Sequence, residues 1–339
     1  MRRPTTALAV IAIIVVAVAL FLRSNRTDEA APSDSASTTI EPTSTVTQVP
    51  PSPEDTPTTT SPTTTVVSAP IGVPACDLYD EILVNGSVMS PDLVEASGLA
   101  ASRTTSDVLW SHNDSRGGPL LYAFSPDGTD LGSHEIPDAF ALDWEDMTAG
   151  PANDGEGAYL YVADIGDNFG IRDGVVSVWR VPDVDPRQLD GAFPESLPIT
   201  LQMPDGPHDA EALFIDPVEP ALYIVTKSRS EAFVFTGPMT PANEPQVMEL
   251  VSTLFLDAEV SGADISADGG IIAFRGYQTV WMWNRAPGQT VADALTSDPC
   301  IAPSPEERQG ESIAFNVDLD YFTVSEGSMP DINSIPASP

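Results

Sequence analysis

Lysine is almost missing from this chain: Lys227 is the single one among 339 residues. Basic residues of any kind are scarce, with 14 Lys plus Arg against 50 Asp plus Glu and a formal charge of -36. A surface this acidic repels phosphate backbones, so nucleic acid is excluded as a partner, and anionic lipid headgroups are disfavoured for the same reason. Histidine is limited to His112, His134 and His208. No Gly-x-Ser-x-Gly elbow, no phosphate-binding Gly-rich loop and no Cys-x-x-Cys pair occurs, which leaves the common nucleophile, nucleotide and dithiol chemistries without their parts. The preference for Arg over Lys and the abundance of Ala, Pro and Thr fit a high-GC bacterial coding sequence.

Long apolar runs are also missing, save one. Arg2 and Arg3 precede residues 7–22, which carry no charge before Arg23. Sixteen such residues lie between a signal h-region of about 7–15 and a full span of about 20. Residues 1–23 are therefore expected to be a single-pass signal anchor with its N-terminus inside. Ala17, Val18 and Ala19 offer a small-x-small cleavage pattern, and cleavage would leave a secreted protein instead. Either reading exports the remainder. Residues 24–74 are rich in Ser, Thr and Pro and cannot bury enough apolar surface to offset their chain entropy. They are expected to be a disordered stalk holding residues 75–330 off the membrane, with residues 331–339 as a tail.

Only Cys76 and Cys300 remain as thiols, one at each end of the globular region. In an exported chain they are expected to form one disulfide, the alternative being two buried free thiols.

A repeat organises the globular region. A short segment of small or acidic residues leading into an apolar one ends at Leu99, Met147, Leu213, Ile265 and Ile313, at steps of 48, 66, 52 and 48 residues. Turns of hairpin chemistry follow, such as Asn153, Asp154 and Gly155, and then alternating strands such as Tyr159, Leu160, Tyr161 and Val162. Five units of antiparallel strands without an amphipathic helix imply an all-β fold: a β-propeller with one blade per unit. A sixth blade would have to hide in the long second unit, and a β-sandwich would leave the repeat without a cause. The fifth unit runs out of chain after its second strand, so Glu81, Ile82, Leu83 and Val84 are expected to supply its outer strand and close the ring.

The first strand of each blade lines a propeller's channel. Two positions before the apolar residue stand Ser97, Glu145, Glu211, Ala263 and Glu311; four before it, Glu95, Asp143, Asp209, Ser261 and Gln309. Asp146 and Asp264 lie one before it, and Asn113, Asp114, Asp164, Asp167 and Glu326 close the second strands with Lys227 and Arg275. Carboxylates gathered at one mouth repel one another, and a hard cation such as calcium relieves this with six to eight oxygen ligands. Hydrogen bonds to backbone amides of neighbouring blades would satisfy the same carboxylates without a metal. His112 and His208 lie beside this mouth as candidate bases.

The segments Asp143, Trp144, Glu145, Asp146, Met147 and Asp209, Ala210, Glu211, Ala212, Leu213 resemble the inner strands of the β-propeller phytases and their esterase-like relatives, over residues 92–328. That resemblance implies a calcium-dependent phosphate-ester hydrolase in which Glu145, Glu211, Glu311 and Asp164 hold calcium and Lys227 and Arg275 meet an anionic group. Asp143, Asp209 and Asp264 complete the expected metal set, with His112 on the ligand side. Two functions remain open: a non-catalytic propeller binding a small ligand, glycan or surface protein at the acidic mouth, and a hydrolase acting there.

Overall fold

In a computed structural model, residues 65–114 and 117–338 are described; the apolar segment 7–22 and most of the Ser/Thr/Pro stretch lie outside them. No helix among the described residues is long and apolar enough to cross a membrane.

The described chain is built from strands. The first, β1 (Leu83–Ser87), precedes blade one: β2 (Ala96–Ala101), β3 (Leu109–Asn113), β4 (Leu120–Phe124) and β5 (Asp130–Glu135). Blade two holds β6 (Trp144–Gly150), β7 (Tyr159–Asp164), β8 (Val175–Pro182) and β9 (Leu197–Gln202). Blade three holds β10 (Ala210–Asp216), β11 (Ala221–Thr226) and β12 (Ala232–Gly237), and is completed by β14 (Glu249–Leu254). The intervening β13 (Ala242–Val247) leaves that blade and pairs parallel with β9, making blade two five-stranded. Blade four is β15 (Gly262–Ile265), β16 (Ile271–Gly276), β17 (Thr279–Asn284) and β18 (Cys300–Ala302). Blade five is β19 (Ala314–Phe315), β20 (Tyr321–Val324) and β21 (Asp331–Ile335), with β1 as its outer strand.

Inner strands β2, β6, β10, β15 and β19 touch in that order and β19 returns to β2, so five blades close the ring. The long second unit hides no sixth blade. Its extra length goes into the eight-residue β8 and the 3-10 turn Pro186–Gln188 before β9.

Closure comes from the two ends of the strand-built region, as the repeat implies. β1 pairs antiparallel with β21, Leu83 opposite Ser334 and Ser87 opposite Asp331. The expected tail therefore begins with a strand: Ile332 and Ile335 are fully buried because β21 is the third strand of blade five. The stalk boundary also moves. Val67 N donates to Val317 O at 2.8 Å and Ala69 N to Asp268 Oδ2 at 2.7 Å, which fastens the last stalk residues to blades four and five. Cys76 and Cys300 form a disulfide with Cα atoms 6.0 Å apart, pinning the lead-in of β1 to the outer strand of blade four. A bridge spanning 224 residues stabilises a fold by about 2–5 kcal/mol through the unfolded chain.

The cores lie between blades. Because successive strand side chains point to opposite faces, each blade feeds two cores. On β10, Leu213 and Ile215 pack towards blade two while Ala212 and Phe214 pack towards blade four. Inner strands are covered on both faces, so β6 and β10 are buried at all seven positions and carry no solvent-facing alternation. This makes the inner-strand carboxylates costly to place, and each needs a partner.

Candidate functional site

Every inner strand starts at the same mouth of the ring, and every second strand ends there. At that mouth three inner strands contain a register shift. β6 slips between Trp144 and Asp146, β10 between Ala210 and Ala212, and β2 between Ala96 and Leu99. A bulge adds one unpaired residue and re-aims its side chain. The residues so placed are Glu145 and Glu211, with Ser97 and Gly98 in blade one.

Glu145 is the centre of the cluster. Carboxylate oxygens of Asp114, Asp143 and Glu145 lie within 4.8 Å of one another. Glu145 is 4% exposed and its Oε1 has no hydrogen-bond partner. Burial, then the charges of Glu211, Asp114 and Asp143, push its carboxyl up to about 11. Asp143 is raised as well, by burial and by Asp114. The turn after β7 closes over both groups at Gly166, where an added Cβ would have to displace Glu145 Oε1 and Asp143 Oδ2.

Asp164 and Asp167 build that turn. Asp164 Oδ1 accepts from Asp143 N at 3.1 Å, its Oδ2 accepts from Leu142 N at 3.4 Å, and the Arg172 guanidinium pairs with it. Asp167 Oδ1 accepts from Ile171 N and Arg172 N, while Asp167 N donates to Asp209 Oδ1 at 2.8 Å. These carboxylates are largely saturated by local donors. Arg172 had no sequence signal, because nothing local marks an arginine that folds back onto the preceding strand end.

Glu211 sits beside Lys227, whose Nζ donates to Oε1 at 2.5 Å. Burial raises Glu211 and Lys227 opposes it, leaving the carboxyl near 7. Burial alone would lower Lys227, but the charge and hydrogen bond of Glu211 outweigh it and hold the ammonium above its usual range. The lone lysine is a fixed cation. Glu311 is pushed up to about 8 by burial, by the charge of Glu326 and by a hydrogen bond shared with it. Tyr277 stands among these groups, raised to about 12 by burial; its neighbours there are Lys227, Glu311 and Glu211.

Three expected site residues lie elsewhere. Asp264 is enclosed in the channel, with Oδ1 accepting from Thr148 Oγ1 at 2.8 Å and Oδ2 from Phe315 N at 2.7 Å. Arg275 is fully buried within blade four, paired with Glu307 and donating to Ser304 Oγ at 2.9 Å, and it faces no open space. His112 is sealed with its ring edge-on to Trp144, and burial lowers it to about 4. Asp114, by contrast, joins the central trio from its place at the end of the second strand of blade one.

Next to the cluster is a cavity of about 210 Å³ lined by His208, Asp209, Thr226, Lys227, Ser230 and Phe233. His208 Nε2 lies 2.8 Å from Asp205 Oδ1 at its edge.

No family model and no curated protein matches this chain. Among solved structures it is similar to a PQQ-bound aldose sugar dehydrogenase from Streptomyces coelicolor: 12% identity over 76% of this chain and 98% of that one, TM-score 0.41. It is similar to a gluconolactonase from Xanthomonas campestris at 12% identity over 81% and 94% of the two chains, TM-score 0.45. A luciferin-regenerating enzyme shares 10% identity over 74% of this chain and 96% of its own, TM-score 0.41. Likeness at this level assigns no chemistry to the mouth.

Proposed function

We propose that this chain is an exported, membrane-tethered β-propeller that holds a divalent cation, calcium by its all-oxygen donor set, at the mouth of its channel and presents it to a ligand. One observation carries the reading: the buried Glu145 Oε1 has no hydrogen-bond partner and belongs to a trio of carboxylates within 4.8 Å. Such a group is destabilising unless a cation or a proton neutralises it. Asp114 and Asp143 are half-buried, so the trio is not sealed from solvent. Three carboxylates supply three to six oxygens, and calcium takes six to eight, so positions are left for a ligand's own oxygens.

Calorimetry of the full chain with calcium and with chelator tests this. Wild type takes up calcium, and Glu145→Gln loses at least about tenfold in affinity. Absence of uptake by wild type would mean that the trio shares a proton instead. The tether rests on residues 7–22, and extraction of the chain from membranes by alkaline carbonate would overturn it.

A second reading, a calcium-dependent phosphoesterase, draws on the cavity in which the Lys227 ammonium sits beside the cluster. There Lys227 would meet a phosphoryl oxygen. A phosphatase screen in calcium decides it: uptake without turnover leaves the binding module.

A further inference from the structure

Two turns of blade two flank the cation cluster, and both display large apolar side chains to solvent. Ahead of β6, Phe140 and Leu142 are 78% and 56% exposed; after β7, Phe169 and Ile171 are 85% and 67% exposed. Since β6 begins and β7 ends at the mouth, all four belong to the same rim. Leu142 immediately precedes Asp143, and Phe169 and Ile171 follow Gly166, whose Cα abuts Glu145 and Asp143.

The two turns are held as one piece. Asp164 accepts from the amides of Leu142 and Asp143 and pairs with Arg172; Asp167 accepts from the amides of Ile171 and Arg172. None of the four side chains contributes to a core between blades. Folding therefore does not explain them, and large apolar side chains exposed together on one rim point to an interaction site.

Charge narrows the occupant. A second copy would bring an identical acidic mouth against this one, and a chain of charge -36 is repelled by an anionic bilayer. What fits is a single molecule with an oxygen head for the open side of the cation and an apolar body for the rim. We propose that the ligand is a small amphiphilic oxyanion, whose carboxylate or phosphate completes the shell held by Asp114, Asp143 and Glu145 while its hydrocarbon portion lies on Phe140, Leu142, Phe169 and Ile171. The inference rests on the cation reading above.

Calorimetry of the full chain in saturating calcium, with octanoate and acetate as probes, tests it. Octanoate binds on the order of 60-fold more tightly than acetate, the gain expected when roughly half of its additional methylenes are buried. In Phe140→Ser/Phe169→Ser that preference falls to a few-fold, while calcium uptake reports that the cluster is intact. Equal binding of the two probes to wild type overturns the rim assignment and leaves the cation reading standing. An octanoate preference that survives the double substitution places the hydrocarbon elsewhere and also overturns it. Absence of calcium uptake by wild type removes the cation reading and this inference together. Calcium-dependent capture by phosphatidylserine vesicles without an octanoate preference assigns the rim to a membrane surface instead.

Discussion

Glu145 and Asp146 are neighbours in one strand and have opposite fates. Asp146 is fully buried, and its carboxylate accepts from Met147 N at 2.8 Å, Leu213 N at 2.8 Å and Ala263 N at 3.0 Å, joining blades two, three and four across the channel. Glu145, one residue towards the mouth, leaves an oxygen unanswered beside two more carboxylates. The bulge at Glu145 separates the pair. It lets the ring use one carboxylate as a structural bridge while the next keeps an oxygen that no hydrogen-bond donor reaches. Acidic residues in a propeller channel are thus of two kinds, distinguished by whether backbone amides reach them.

The largest effect that would break this contrast is expected at the deep site. Asp146→Asn presents an amide donor to backbone donors of two other blades, and loss of those bonds costs roughly 2–6 kcal/mol. Urea unfolding measures it, and a change within error would remove the structural role. Gly166→Ala comes next: its Cβ displaces the Glu145 and Asp143 carboxylates, abolishing calcium uptake while costing about 1–3 kcal/mol through overpacking. Retained uptake would show that the turn does not shape the cluster. Smaller still is Glu145→Gln in cation-free protein. Removing a repelled, buried carboxylate is neutral or stabilising by up to about 1 kcal/mol. A clear loss of thermal stability would put Glu145 in the same class as Asp146.

The subtlest test is pH. Glu311 is held at about 8 against an ordinary 4.5, so the folded state keeps a proton that the unfolded chain releases. Its contribution is full below pH 4.5 and is lost as pH rises towards 8. Cation-free wild type should therefore lose thermal stability across that window, and Glu311→Gln should flatten the slope. An unchanged slope would locate the titration elsewhere in the mouth.

Much of this was legible because a repeat carries its own evidence. Five segments ending at Leu99, Met147, Leu213, Ile265 and Ile313 named the inner strands, and the need for an outer strand pointed to Leu83 and Val84. The strand Asp331–Ile335 that completes blade five carries no such signal, since a short strand following Met329 and Pro330 looks like a chain end until β1 is seen beside it. Within the site, alignment gathered Asp143, Glu145 and Glu211 at one mouth but also gathered Asp264, Arg275 and His112, whose surroundings differ. Alignment assigns residues to strands; it does not say which amides or arginines reach them.

The exposed pairs Phe140, Leu142 and Phe169, Ile171 had no meaning in sequence, because each lies in a turn whose neighbour is about thirty residues away. Local pattern by itself determined the strands, their order and the acidic lining of the channel, since apolar alternation and turn chemistry act over a few residues. Only the closed ring decided which carboxylates are spent on backbone amides and which are left facing one another. Those partners come from blades far apart in the chain, and a hydrogen bond forms or fails over tenths of an ångström.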